Sequence, residues 1–183
     1  MLDEQDKQID LRWLTDTYWY VPPGGLPAQR FDSSENTLSW QVDQTVWHIT
    51  GQEQGYFWGV TSAVLYPAGQ GMPSHGPGSS PSYFTLLGTL TPSGQVQMTF
   101  VPSSGPGSAT LGFGQMVERD GAWAFEMQMS TGQMGTQTLH WAYMVQTHEG
   151  DPSWEQLPGL PYSVPQMLEG ATYPTVEPVD SET

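Results

Sequence analysis

Nine short runs rich in β-branched and aromatic residues, divided by Gly, Pro and Ser clusters, leave this chain little choice but an antiparallel β fold. The runs are Thr17 to Val21, Thr37 to Val42, Gln44 to Thr50, Tyr56 to Tyr66, Ser82 to Thr91, Gln95 to Val101, Thr110 to Arg119, Trp123 to Ser130 and Thr138 to Gln146. Most separators are hairpin-sized: Gly51 to Gly55, Pro92-Ser93-Gly94, Asp120-Gly121 and Thr131 to Gly135. Strands joined in this way form a meander, and a meander of eight or nine strands hides its edges by closing into an up-and-down barrel. The predicted fold is therefore all-β, a single antiparallel barrel over residues 17–150. An acidic segment, 1–16, precedes it; a short helical packing segment, 151–170, and an acidic tail, 171–183, follow.

The helical signals are late and brief. Asp151-Pro152-Ser153-Trp154-Glu155 places an N-cap acid before a first-turn proline, and Ser163-Val164-Pro165-Gln166 has capping-box spacing. Two longer loops, Pro67 to Pro81 and Pro102 to Ala109, either lie over a barrel mouth or run free in solvent.

Charge excludes several functions. Four Lys+Arg stand against 19 Asp+Glu, a formal charge of −15. Such a chain has no basic patch to neutralise phosphates, so neither nucleic acid nor an anionic membrane surface is an expected partner. Cysteine is absent, which removes disulfide scaffolds and zinc–thiolate sites. No export signal is recognisable in MLDEQDKQIDLRW, and a cytoplasmic location is expected. The acidity is concentrated at the two ends: from Gln44 to Met116 the only formally charged side chain is Glu53. Apolar mass comes largely from 8 Trp, 8 Tyr and 9 Met, a palette that suits a cavity wall as well as a solid core.

Register follows from the Asp120-Gly121 turn. A two-residue type I′ loop pairs Arg119 with Ala122, which sets Gln115 opposite Glu126 and Gly114 opposite Met127. Trp123, Phe125, Met127 and Met129 then share one face, and apolar matching brings Trp141, Tyr143 and Val145 to it. The other face carries Leu111, Phe113, Gln115, Val117, Glu126, Gln128, His140 and Met144. If the aromatic face points inward, Glu126, Gln115 and His140 are surface groups. If the mixed face points inward, a carboxylate, an imidazole and two amides line an otherwise apolar cavity.

The candidate chemistry rests on few groups. His48, Glu126 and His140 are the acid–base candidates; brought together in one cavity they could move protons. Trp58, Gln115, Trp123, Phe125, Met127, Trp141 and Tyr143 are the candidate ligand contacts. No metal site is expected, because no His-x-His or His-Glu-x-x-His spacing occurs and His75 and His148 fall in a loop and beyond the last strand. No Gly-x-Ser-x-Gly elbow or helix-opening glycine loop is present, so a serine nucleophile and a nucleotide cofactor are not expected either.

A short N-terminal segment with Trp13 leading into a Trp-bearing first strand at Trp19, a hairpin meander and helical turns after the last strand together resemble the calycin group, the lipocalin-type small-ligand barrels. Thr17 stands two residues before Trp19, where lipocalins carry the Gly of a Gly-x-Trp motif, so no functional residues carry over. The resemblance implies a barrel that binds a small, mostly apolar molecule. A cofactor-independent isomerase, cyclase or lyase on the same barrel is the alternative. A homodimer burying the outer aromatics is a corollary of either.

Overall fold

The computed structural model describes residues 11–23, 26–71, 80–104, 107–133 and 135–177. The N-terminal acids of residues 1–10, His75 and the last six residues lie outside that set. Nine strands form one closed antiparallel sheet: β1 (Thr17–Tyr20), β2 (Leu26–Asp32), β3 (Thr37–Glu53), β4 (Tyr56–Pro67), β5 (Ser82–Leu90), β6 (Gln95–Pro102), β7 (Thr110–Arg119), β8 (Ala122–Gln133) and β9 (Thr136–Thr147). The strands follow one another around the barrel, and β9 closes it against β1 and β2. This is the barrel architecture that the calycin resemblance implies.

Nine strands occupy eight positions because β1 and β2 are two halves of one. Both pair with β3 and with β9, β1 at Ile49 to Val46 and β2 at Asp43 to Thr37. Pro22-Pro23 interrupts them, since proline offers no N–H to a ladder. Gln44 fills the gap as a surrogate peptide group: Val21 N–H donates to its Oε1 at 3.1 Å, and its Nε2 donates to the carbonyls of Val21 at 3.0 Å and Pro158 at 2.7 Å. Strand β2 was not anticipated, and the two runs divided at Asp43 are one continuous strand, β3.

The Asp120-Gly121 hairpin has the expected register, Arg119 against Ala122 and Gln115 against Glu126. Both turn residues take positive φ, 52° and 80°, which a type I′ turn demands. The next hairpin corrects the sequence reading. Gln133 pairs with Thr136, so only two residues separate the strands, and His140, Ala142 and Met144 face inward beside Met129, Met127 and Phe125. Trp141 and Tyr143 point outward instead. The aromatic face of β8 is the interior one.

That interior is mostly solid. Phe125 is fully buried and touches three other rings: Trp19 at 4.6 Å, Trp47 at 5.5 Å and Phe57 at 6.3 Å between centroids. Met98, Met127 and Met144 fill the space between them. At Gly114 a Cβ would lie 1.9 Å from the Glu126 carbonyl oxygen, so only glycine lets β7 coil this closely against β8. One barrel end is stoppered by a 3-10 turn, Arg12–Leu14, which stacks Trp13 on Trp123 at 6.0 Å and 17°.

Two short helices, α1 (Pro152–Glu155) and α2 (Val164–Leu168), cover part of the outer wall. Leu157, Leu160, Val164 and Met167 pack on Val46, Val60 and Val64 of β3 and β4. The capping box read from Ser163 and Gln166 is formed in both directions. No helix among the described residues is long and apolar enough to cross a membrane.

Candidate functional site

Opposite the stoppered end the barrel is hollow. A cavity of about 410 Å³ opens where β4 and β6 end and β5 and β7 begin, and Ser104, Gly107 and Ser108 line its mouth. Its wall combines apolar groups, Trp47, Ala63, Phe84, Phe100 and Met129, with the hydroxyls of Thr45, Thr61, Thr110, Thr131 and Thr138. These positions share the cavity because inward-facing residues align across the ladder: Phe100 stands opposite Thr110, Thr110 opposite Thr131, and Thr131 opposite Thr138. Thr110 and Thr131 bond hydroxyl to hydroxyl. Trp47 is fully buried, and its indole N–H has no partner among the described residues.

His140 lines this cavity with a partner that sequence reasoning missed. Its Nδ1 lies 2.7 Å from Oδ2 of Asp43, a β3 carboxylate. The Thr45 hydroxyl donates to the other Asp43 oxygen at 2.8 Å. The side chains of His140 and Asp43 are only 9% and 5% exposed, and a carboxylate so deep is tolerable only when paired and hydrogen-bonded. With Asp43 as acceptor, Nδ1 donates, and Nε2 is left as the acceptor nitrogen of the imidazole. The arrangement orients one imidazole firmly and can hold or pass one proton.

The three acid–base candidates occupy three separate places. His48 is on the outer face, stacked on Tyr18 at 4.0 Å and bonded to Asp16 at 2.9 Å and to the Tyr173 hydroxyl at 3.1 Å. Burial first, and then the Asp16 carboxylate, hold both Tyr18 and Tyr173 above the usual phenol range. Glu126 is also outside. The Arg119 guanidinium bonds it and holds its carboxyl below the ordinary value, and Gln115 adds a bond at 3.3 Å. Only His140 reaches the cavity.

The ligand contacts read from sequence divide similarly. Phe125 and Met127 belong to the packed core and Trp123 to the stoppered end, whereas Trp58, Gln115, Trp141 and Tyr143 are on the outer wall. Trp58 lies over Gly51, where a Cβ would meet its ring at 2.5 Å. No group of three His, Cys, Asp or Glu side chains suited to a metal ion occurs among the described residues.

Glu126 supplies a direct check on this surface pair. A lowered carboxyl contributes stability that is complete above the ordinary Glu range and is lost as pH falls through its depressed value. Arg119→Met is expected to raise the Glu126 titration midpoint, followed by carboxyl carbon-13 shifts, with little change in stability because the pair is exposed. An unchanged midpoint would show that the guanidinium is not the cause.

Fold and site together define a closed antiparallel barrel with a hydroxyl-lined cavity at one end and a buried His–Asp pair in its wall. Comparison of the chain with protein-family models, curated proteins and solved structures finds no match.

Proposed function

We propose that this protein binds a small, mostly apolar molecule in the end cavity, with a hydrogen-bonding group of that molecule set against His140. The observation that carries the reading is the composition of the wall: aromatic and Met side chains, a set of hydroxyls, and, among the described residues, one imidazole locked by Asp43. Apolar pockets with a few convergent polar groups bind by burial and discriminate by hydrogen bonding. The volume is within the range for ligands of a few fused rings. The calycin resemblance agrees with this use of a barrel interior.

The Asp43–His140 pair also favours a second reading, proton transfer on the bound molecule. With Nδ1 held by Asp43, Nε2 could accept a proton from a ligand carbon or oxygen and return it elsewhere, an isomerisation that needs no cofactor. Glu126 and His48 have no part in this version.

N-phenyl-1-naphthylamine, neutral and apolar with one N–H donor, is a suitable fluorescent probe. It is expected to bind the full chain in a 1:1 ratio with enhanced emission. Ala63→Trp, which fills the cavity from β4, is expected to abolish binding, whereas Leu87→Trp on the outer wall leaves it intact. Equal binding to both variants would place the probe elsewhere and remove the cavity reading.

A further inference from the structure

The outer wall of β6 to β9 holds an arrangement that the cavity does not use. Strand register places Gln97, Phe113, Gln128 and Trp141 side by side in one row and Gln95, Gln115, Glu126 and Tyr143 in the next. A groove runs between Phe113 and Trp141 over the Gly114–Met127 backbone, whose side-chain positions face inward. Phe113 and Trp141 are 55% and 53% exposed, although both are large apolar residues. They stand two strands apart, ~9–10 Å at the backbone.

The row alternates aromatic with amide. A protein interface core strips water from contiguous apolar surface, and here it would strand Gln95 and Gln128 without partners. Nor is a charged partner called for: Glu126, the ionic group among the described residues that line this groove, is already paired with Arg119 beside it. The ligand that matches such a surface is neutral, has apolar faces for the rings, and has many groups that both donate and accept. A pyranose chain meets all three conditions, with C–H faces that pack on aromatic rings and hydroxyl rims that bond both ends of an amide.

We propose that this groove binds a neutral oligosaccharide, with Phe113 and Trp141 packing on sugar faces and Gln95, Gln115 and Gln128 bonding hydroxyls. The site is separate from the end cavity. Isothermal titration calorimetry of the full chain with cellohexaose and with maltohexaose tests it. Binding of at least one is expected, weakened about tenfold by Trp141→Ala and by Phe113→Ala. Ala63→Trp, which blocks the cavity, should leave the titration unchanged. Both substituted rings are exposed, so the variants fold, and unchanged circular dichroism verifies this. Absence of heat with both sugars, or binding that survives both aromatic substitutions, overturns the proposal. So does a concentration-dependent dimer in light scattering that Trp141→Ala abolishes, because the face would then serve self-association.

Discussion

Phe125→Ala is expected to destabilise the barrel by about 3–5 kcal/mol, the range for removing a fully enclosed aromatic ring. The ring packs edge-on against Trp19 and also touches Trp47 and Phe57, so its removal unsupports β1, β3 and β4 together. Trp19 cannot follow the void easily, since it is anchored through its indole N–H to Thr17, which in turn donates to the Leu14 carbonyl. For a chain of this size each kcal/mol lowers Tm by about 2–4 °C, so the expected fall is about 10 °C. Near-ultraviolet circular dichroism during thermal or urea unfolding measures it. Phe125→Leu, which keeps most of the volume, should lose far less. The same truncation is expected to weaken probe binding, because Trp47 is both a neighbour of Phe125 and the cavity floor. A loss below about 1 kcal/mol would mean that the interior is not packed as a solid core.

How the sequence encodes this division between core and cavity differs from strand to strand. The β7–β8 hairpin was legible because Asp120-Gly121 permits one tight turn, and everything paired across it follows by counting. The β8–β9 hairpin was not. Its Gly135 takes φ 82°, but the segment Thr131 to Gly135 resembles a five-residue loop when the ladder in fact continues to Gln133. A one-residue error in such a register sends every side chain to the opposite face.

The usual rule that apolar residues point inward made the error attractive. It would have buried Trp141 and Tyr143, yet the inward positions of β9 are His140, Ala142 and Met144. Small Ala142 is needed inside because Met127 lies opposite, while the bulky Trp141 remains half exposed outside. Asp43 was hidden for a related reason. A lone acid within an apolar run reads as a break between strands, and only the long-range pairing of β2 with both β3 and β9 brings it to His140. Ninety-seven residues separate the two, so no local pattern could announce the pair.

That pair is the basis of the second large effect. His140→Leu is expected to cost about 3–5 kcal/mol, because Asp43 would remain buried with the Thr45 hydroxyl as its only hydrogen-bond partner among the described residues. Adding Asp43→Leu to that variant should recover most of the loss, since replacing both partners of a buried hydrogen bond by apolar groups of similar shape is nearly neutral or stabilising. Thr45 lines the cavity and can turn its hydroxyl to water once the carboxylate is gone. The double variant therefore separates two roles that the single variant confounds. If the pair serves binding, the refolded double variant has near wild-type stability but holds the naphthylamine probe less tightly, as the N–H loses its acceptor. If the pair serves only to fasten β3 to β9, stability falls in both variants and probe affinity, measured where each is folded, does not change. Urea unfolding of the four species of this cycle gives the coupling energy directly. A coupling near zero would mean that water already reaches Asp43, and the cavity could not then be the dry, selective site that binding an apolar molecule requires.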